Sequence, residues 1–556
     1  MIFRFQSIHF FFIAIVLVLL TSTGARCLSE DRYVATIGDN GNLGTVSSPW
    51  QTIQYAVDNV DPGQTIYIRG GTYTEQVIFS GPEDSGSSGA GYIFLRNYPE
   101  ETPVIDGISI SPDDREGLIS IIDASYIKII GFELKNFKTS ISGPTPVGIY
   151  IEGASHHIEL RNNRVNNIER FNNGGAHGIG VFGTNSATAV HELTIDSNEI
   201  WNCKLMWSEA LVLNGNVRNF TVSNNSVHDC DNIGFDFIGF EGECSECGTT
   251  NPDNLDQARD GRVLNNIAYN IDSKDNPVYN NERSAVGFYV DGGKDIIFDG
   301  NISHDCNLGF ELASEHNNKS TKGVIVRNSF VYNNHVLGIS TGGYARNKGN
   351  TENCSVVNNT FYKNNSSTRS EDDWGAEILL QFNNINNIYK NNIVFAKTGR
   401  PRVIEGGTTN TGNVFDYNLY YGSSAGTAPG VNSIIADPLL IDPDNGDLHI
   451  NIGSPAIDTG ETLSDSIIGA ADIDGNARIY NGNVDIGAHE FDPVVGDVNG
   501  DKQLSMADAI IALKATAGMD TPNLRADYLS SGVDENNNKL GLAEAVFVLQ
   551  KIVDLR

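Results

Sequence analysis

Asn198-Glu-Ile-Trp-Asn202, Asn225-Ser-Val-His-Asp229, Asn301-Ile-Ser-His-Asp305 and Asn359-Thr-Phe-Tyr-Lys-Asn364 are four copies of one short phrase. Looser copies begin at Asn163, Asn266, Asn328 and Asn392. Successive anchors lie 35, 27, 41, 35, 27, 31 and 33 residues apart, within the roughly 20–50-residue period that marks a solenoid. Each copy is Asn, a short β-prone run, then Asn or Asp, often followed by a Gly-aliphatic strand such as Gly234-Phe-Asp-Phe-Ile238 or Gly309-Phe-Glu-Leu-Ala313. Asn suits a left-handed or side-chain-satisfied turn. Strand, Asn turn, strand and Gly turn, repeated with few helical stretches, describe the coils of a parallel β-helix. An antiparallel sandwich or propeller is the alternative. Irregular spacing weakens the propeller, and two-residue hairpin signals are scarce.

The chain has 556 residues, with 37 Lys plus Arg against 69 Asp plus Glu and a formal charge of −32. Nucleic acid is therefore not an expected partner. Acidity fits solubility in an external medium or affinity for divalent cations. Arg4, the apolar run Phe10 to Leu20 and Thr23-Gly-Ala25 have the order of a secretory signal, expected over 1–27. That run is too short for a comfortable membrane span. Arg26 argues against a lipidated Cys27. Cys203, Cys230 and Cys306 share one place in their repeats and are expected to line the interior. Cys244 and Cys247 form a Cys-x-x-Cys with no second pair nearby, so a local disulfide is expected over zinc.

Pro49-Trp-Gln-Thr-Ile-Gln-Tyr-Ala-Val57 reads as a short amphipathic helix, Asp61-Pro-Gly63 as a turn and Thr65-Ile-Tyr-Ile68 as the first strand. With Gly71-Thr-Tyr73, this stretch resembles the opening of secreted β-helix polysaccharide lyases and β-helix glycosidases of the pectate-lyase-like group. The resemblance implies a cap over 33–77, a right-handed β-helix over 78–491, and an extracellular bacterial protein acting on a polysaccharide. Right-handedness also follows the general preference of parallel crossovers. Asp485-Ile-Gly-Ala-His-Glu-Phe491 resembles the closing segment of such proteins.

Residues 496–556 are a different object. Asp497, Asn499, Asp501, Gln503 (through its backbone carbonyl), Ser505 and Asp508 fall at positions 1, 3, 5, 7, 9 and 12 of a calcium loop. A helix follows, with Ile510, Leu513 and Ala517 expected on its packed face. Lys502 departs from the glycine favoured at position 6. A second copy, Asn537-Asn-Lys-Leu-Gly-Leu-Ala-Glu544, leads into Val546, Leu549 and Ile552, with Val533 where a ligand belongs. The pair resembles a type I dockerin, a small α-helical, EF-hand-like module. That resemblance implies bound Ca2+ and a cohesin-like protein partner.

Strand residues alternate faces. Phe235 and Phe237 should point inward, so Asp236 points out, and the same register turns Asp291, Glu311 and Glu315 outward. Glu152 and Asn214 are expected in the matching place, and Glu377 and Gln381 on the same outer face. A carboxylate column has three readings: a solvated face, a second calcium site from Asp236, Asp291 and Glu311, or a catalytic pair. Hydrolysis of a glycosidic bond by paired carboxylates is slightly preferred, with His316 beside Glu315 as a proton carrier. The alternatives are calcium-dependent elimination on a polyuronate and a non-catalytic glycan-binding or adhesive β-helix. For elimination the basic groups near the column are Lys294, Arg283 and Arg346, none in a recognisable lyase motif. His228 and His304 sit at repeated turns and read as structural. Tyr289, Trp374, Tyr344 and Trp207, the last just before Ser208-Glu209, are candidates to pack on sugar rings. The polar inserts at 240–262 and 272–285 should shape the cleft.

Overall fold

The computed structural model describes residues 30–248, 255–480, 482–492, 496–499, 503–522, 524 and 540–553. The proposed signal segment lies outside them, as do Asp501, Lys502 and most of the second calcium loop. Three long sheets run the length of a right-handed β-helix, and their strands pair in parallel from coil to coil. The one antiparallel strand pair among the described residues is Leu440–Asp442 with Asp447–Ile450. Among the described residues no helix is long and apolar enough to cross a membrane.

The repeated asparagines are the reason the coils stack. The Oδ1 of each ladder residue accepts the backbone N–H of its counterpart one coil earlier, as in Asn163 to Asn198 (3.0 Å), Asn198 to Asn225 (2.8 Å) and Asn225 to Asn266 (2.9 Å). Each Nδ2 donates to a backbone carbonyl of the preceding coil, for example Asn225 to Ile195 at 2.9 Å. These side chains are fully buried or nearly so, and a buried amide is tolerated when its bonds are made. The residue before each ladder position takes the left-handed conformation, among them Asn162, Ser197, Asn224, Asn265 and Asn358. Asn328 does not hold the rung expected of it. It is the left-handed residue (φ 52°), and Ser329 takes the rung, accepting from Asn301 N–H at 3.3 Å and donating its own N–H to Asn359 at 3.1 Å.

Between the ladders the interior is aromatic and aliphatic. Phe235, Phe288 and Phe310 stack on consecutive coils with centroids 4.7 and 4.8 Å apart. Cys203, Cys230 and Cys306 are buried in the same core, and Cys244 is joined to Cys247. The cap helix is shorter than the sequence suggests, Ile53–Val57. Asn40 and Glu75 accept the N–H groups of residues 51–54 from outside the helix. His228 and His304 stack face to face with Tyr269 between them, at 4.5 and 5.2 Å.

The segment 440–491 folds back along the side of the solenoid. Buried Arg478 pairs with Glu490 (3.0 Å), and Asn358 Nδ2 donates to the Asp485 carbonyl at 3.0 Å. Leu448 and Ala488 cover Phe330 and Tyr362. Two further helices, Met506–Thr516 and Leu542–Ile552, pack on one another. Their buried face is Ala509, Ile511 and Ala512 with Ala545 and Val548. Ile510, Leu513, Val546, Leu549 and Ile552 are exposed, which reverses the face read from periodicity. Ala509, Ala512 and Ala545 take much of the contact, beside Ile511 and Val548.

Candidate functional site

One sheet carries the acids. Its strands Leu211–Gly215, Phe235–Ile238, Val286–Asp291, Leu308–Ala313, Leu337–Thr341 and Ile378–Leu380 are neighbours in that order. Asp236 lies opposite Val212 on one side and Tyr289 on the other, and Tyr289 lies opposite Glu311. The row continues to Ser340 and Leu379. Asp291 pairs with Ala313, two positions further along its strand. The expected single column is therefore two adjacent rows. Asn214, opposite Ile238, and Glu152, opposite Phe182, are likewise out of line with Asp236. Apolar outer residues flank the acids: Tyr150, Phe182, Val212 and Ile238 on one side, Val286, Leu308 and Leu379 on the other.

Glu377 is not on this face. It is fully buried, and Asn364 Nδ2 donates to its Oε2 at 2.7 Å. Earlier coils hold glycine at the corresponding place, where a Cβ on Gly309 would come within 2.4 Å of the Gly338 carbonyl oxygen and one on Gly338 within 2.5 Å of that of Glu377. The expectation failed because Glu377 precedes the regular strand Ile378–Leu380, so alternation counted from Gln381 does not carry through to it. Gln381 itself faces out, its Nε2 donating to Glu311 Oε1 at 3.3 Å.

Loops complete the cluster. Glu315 follows the strand Leu308–Ala313, and its N–H donates to Asp291 Oδ1 at 2.8 Å. Glu241 returns from the insert after Phe235–Ile238, where its carboxylate accepts from Asn214 Nδ2 at 3.1 Å. Glu241, Asp291 and His316 each offer a ligand atom within 4.8 Å of the other two. The insert is tied down by the N–H groups of Gly242 and Cys244 on Asp256, and by Glu243 on Arg115 at 2.7 Å. At the other end of the strands the 272–285 insert brings Tyr279 against Trp207, with ring centroids 5.5 Å apart. Trp207, Tyr344 and Trp374 are about half exposed.

Electrostatics bind these acids into one group. Burial pushes Glu209 well above the carboxylate range, and Glu241 and Asp291 push it further. Asp236 is raised by burial, then by Glu209, Asp291 and Glu241. Asp291 is raised by burial, then by Glu315. Burial raises Glu311 to about 7. Asp236 Oδ1, Asn214 Oδ1 and His316 Nε2 are buried with no hydrogen-bond partner. A buried carboxyl with a raised pKa favours its protonated form, and an unpaired buried oxygen is costly.

Sequence reasoning missed Glu209, Glu241 and Lys348 as site members. Lys348 sits in the loop after Leu337–Thr341. Its ammonium is held above its usual value by Tyr344 and, less strongly, by Glu315 and Asp291. The three basic groups named from sequence are elsewhere engaged. Arg283 pairs with Asp272 (3.0 Å) and Asp372 (3.4 Å), Lys294 pairs with Asp295 (3.3 Å) on another sheet, and Arg346 lies over Phe382 at 5.9 Å. The loop signal for Glu241 was present, since it lies in a polar insert. Nothing in the linear spacing of Lys348 points to Asp291.

Burial of Glu377 raises its pKa to about 8, which makes it a stability element. The folded protein keeps a proton here that the unfolded chain loses near pH 4.5, so stability is highest below that value and falls as pH rises toward 8. Glu377→Gln retains an acceptor for Asn364 and removes the titration. The variant is expected to melt higher than wild type at alkaline pH, by on the order of 4 kcal/mol of stability, and to match it at acidic pH. Thermal melts across that range check it.

A family profile described as "Pel9A-like, right handed beta helix region" matches residues 32–207. The uncharacterized protein YwoF of Bacillus subtilis (strain 168) is 34% identical over 446 residues, covering 76% of this chain and 91% of YwoF. Pectate lyase PEL9 of Emericella nidulans is 36% identical over 152 residues, 26% of this chain and 35% of that protein. Among solved structures, pectate lyase Pel9A matches 84% of this chain and 98% of its own at 15% identity and a TM-score of 0.46. XylC in complex with xylose matches 83% and 98% at 13% identity and 0.47. The similarity to YwoF runs through almost the whole of that protein and through the coils that carry the acids, so this chain belongs to the YwoF family of right-handed β-helix proteins.

Proposed function

We propose that this protein is an exported polysaccharide-active enzyme that cleaves an acidic glycan by calcium-dependent elimination at the cluster of Glu209, Asp236, Glu241, Asp291, Glu311 and Glu315. The observation that carries this reading is the convergence of these acids on one outer face with Lys348 beside them. Such a pocket repels a uronate unless its charge is neutralised. Glu241 and Asp291 offer carboxylate oxygens within 4.8 Å of one another, hard donors that suit a calcium ion. Calcium, when bound, supplies a positive charge that neutralises the uronate carboxylate and acidifies the C5 proton. In this reading Lys348 Nζ takes that proton as the C4–O bond breaks, and the leaving oxygen is protonated from solvent. Tyr344, and less strongly Glu315 and Asp291, hold Lys348 protonated, and neutralising the two acids lowers its pKa. Tyr344 and Trp207 offer exposed ring faces for sugar.

Hydrolysis is the second reading, favoured by Glu311. A carboxyl near pH 7 suits a general acid, and Asp236 lies two rungs away, about 10 Å between strands. That is near the wide spacing of inverting pairs. One assay separates the readings. Polygalacturonate, alginate and neutral glycans are incubated with the protein in calcium and in chelator, and both new reducing ends and the ultraviolet absorbance of unsaturated uronate are followed. Absorbance that needs calcium supports elimination. Reducing ends without absorbance support hydrolysis. Neither product would leave a glycan-binding surface.

The C-terminal module is read as a dockerin-like calcium unit. Asp497 and Asp508 are buried acids, and Asp508 accepts the N–H groups of Val498 (3.0 Å), Asn499 (3.2 Å) and Ser505 (2.9 Å). The exposed apolar rows Met506, Ile510 and Leu513, and Leu542, Val546 and Leu549, suit a docking partner of the cohesin kind. Asp497→Ala is expected to unfold this module and leave the solenoid intact, because ion binding free energy is folding free energy in such units. Limited proteolysis with and without chelator tests it. A tail equally resistant in both conditions would refute the calcium loop.

A further inference from the structure

A second cluster of metal-ligand type lies on a different sheet from the acids. His156 and His157 open the strand His156–Arg161, and His191 opens His191–Asp196 on the next coil. His156 and His191 are direct neighbours in the parallel register. Consecutive strand residues ordinarily point to opposite faces. Here His157 is left-handed (φ 54°), as are Tyr126 one coil earlier and Glu192 one coil later. The left-handed turn interrupts the alternation, and Ile158 resumes it pointing into the core. His156 and His157 are thereby brought together on the outer face with His191.

The geometry of the three rings suits one ion. Each offers a nitrogen within 4.8 Å of the other two. The Nδ1 atoms of His156 and His157 face one another at 2.9 Å. Two imidazoles bound to one ion at about 2.0–2.1 Å bring their nitrogens about 3 Å apart. The Nδ1 of His191 lies 3.1 Å from the Ala189 carbonyl oxygen, an arrangement that places the proton on Nδ1 and the lone pair on Nε2. Metal-bound histidines are commonly oriented by such a backbone acceptor. Tyr126 stacks on His157 at 4.4 Å and meets His156 edge-on at 5.5 Å, which fixes both rings. The rings are half-buried, so an ion can reach them from solvent.

We propose that His156, His157 and His191 form a binding site for a divalent transition ion of the zinc class, separate from the acidic cluster. Three imidazole nitrogens select zinc, cobalt, nickel or copper, whereas calcium requires oxygen. A fourth position is left for water. The bound ion would tie two coils together near the middle of the sheet and stabilise the folded state by mass action.

The test uses the full chain without a histidine tag, in excess calcium so that oxygen sites are filled. Zinc is titrated by calorimetry, and cobalt is used as the spectroscopic probe. Wild type is expected to bind one tight equivalent with an imidazole-type cobalt spectrum. His191→Gln and His157→Asn are expected to weaken it by about a hundredfold or more. Asparagine tolerates the left-handed position, as Asn219 does in the same column, so the second variant keeps the turn. Asp291→Asn is expected to bind zinc like wild type. Loss of the equivalent in Asp291→Asn with retention in His191→Gln would assign the ion to the acids and overturn the proposal. Absence of any tight equivalent in wild type would overturn it too, leaving a hydrogen-bonded histidine pair.

Discussion

Asp291→Asn and Glu311→Gln are each expected to lower turnover by two to four orders of magnitude, the range for removing a group that acts in the reaction, and to leave the melting temperature unchanged or higher. The amides keep shape and remove charge. After Asp291→Asn the side-chain amide still presents an oxygen to the Glu315 N–H, which Asp291 accepts at 2.8 Å, so the loop over the site is preserved. Removing one of several mutually repelling carboxyls relieves repulsion, which accounts for unchanged or raised stability. Calcium ligation has a further signature: the variants lose stability in calcium, and activity partly returns as calcium is raised. Steady-state kinetics across calcium concentrations, with melts in parallel, measure both. Full activity in both variants, on a substrate that wild type cleaves, would remove the acids from the mechanism and direct attention to the inserts.

The largest stability effect is expected in the core beneath them. Phe237→Ala should cost about 3–5 kcal/mol. Phe237 is fully buried, stacks on Phe220 at 5.4 Å and meets Phe298 edge-on at 5.5 Å. A truncated ring leaves a void between coils whose backbones are held by the sheet ladders and cannot close around it. Chemical denaturation reads the difference. A loss under about 1 kcal/mol would mean that Phe237 is not a tightly packed core residue and that the register of Asp236 is wrong with it.

The repeat was legible because it is a local device. An asparagine that bonds the coil on either side of it must recur once per coil, whatever the loops between do. Asn328 shows where that reading has limited resolution: the ladder needs a short polar side chain, serine at 329 serves, and the neighbouring asparagine takes the left-handed turn instead. The site was legible in part. Alternation put Asp236 and Glu311 on the outer face, since their strands are regular. It misplaced Glu377, which precedes the regular strand Ile378–Leu380, and it merged two rows into one column because coil-to-coil register cannot be counted across loops of unequal length. Glu209, Glu241 and Lys348 reach the acids from strand ends and loops, positions that no periodicity marks.

The asparagine ladder also bears on how such a chain changes length over generations. Each rung uses the same pair of bonds, so a rung does not distinguish which coil lies beyond it. A deletion running from one ladder residue to just before the next, such as 198–224, would set Asn163 against Asn225 and re-form the same contacts. Whole coils are thus exchangeable units for recombination, and shorter losses are not, because they strand a buried amide without its acceptor. The variable spacing between anchors is the record expected of a molecule whose outer loops drift freely while its inner seam accepts change only in complete turns.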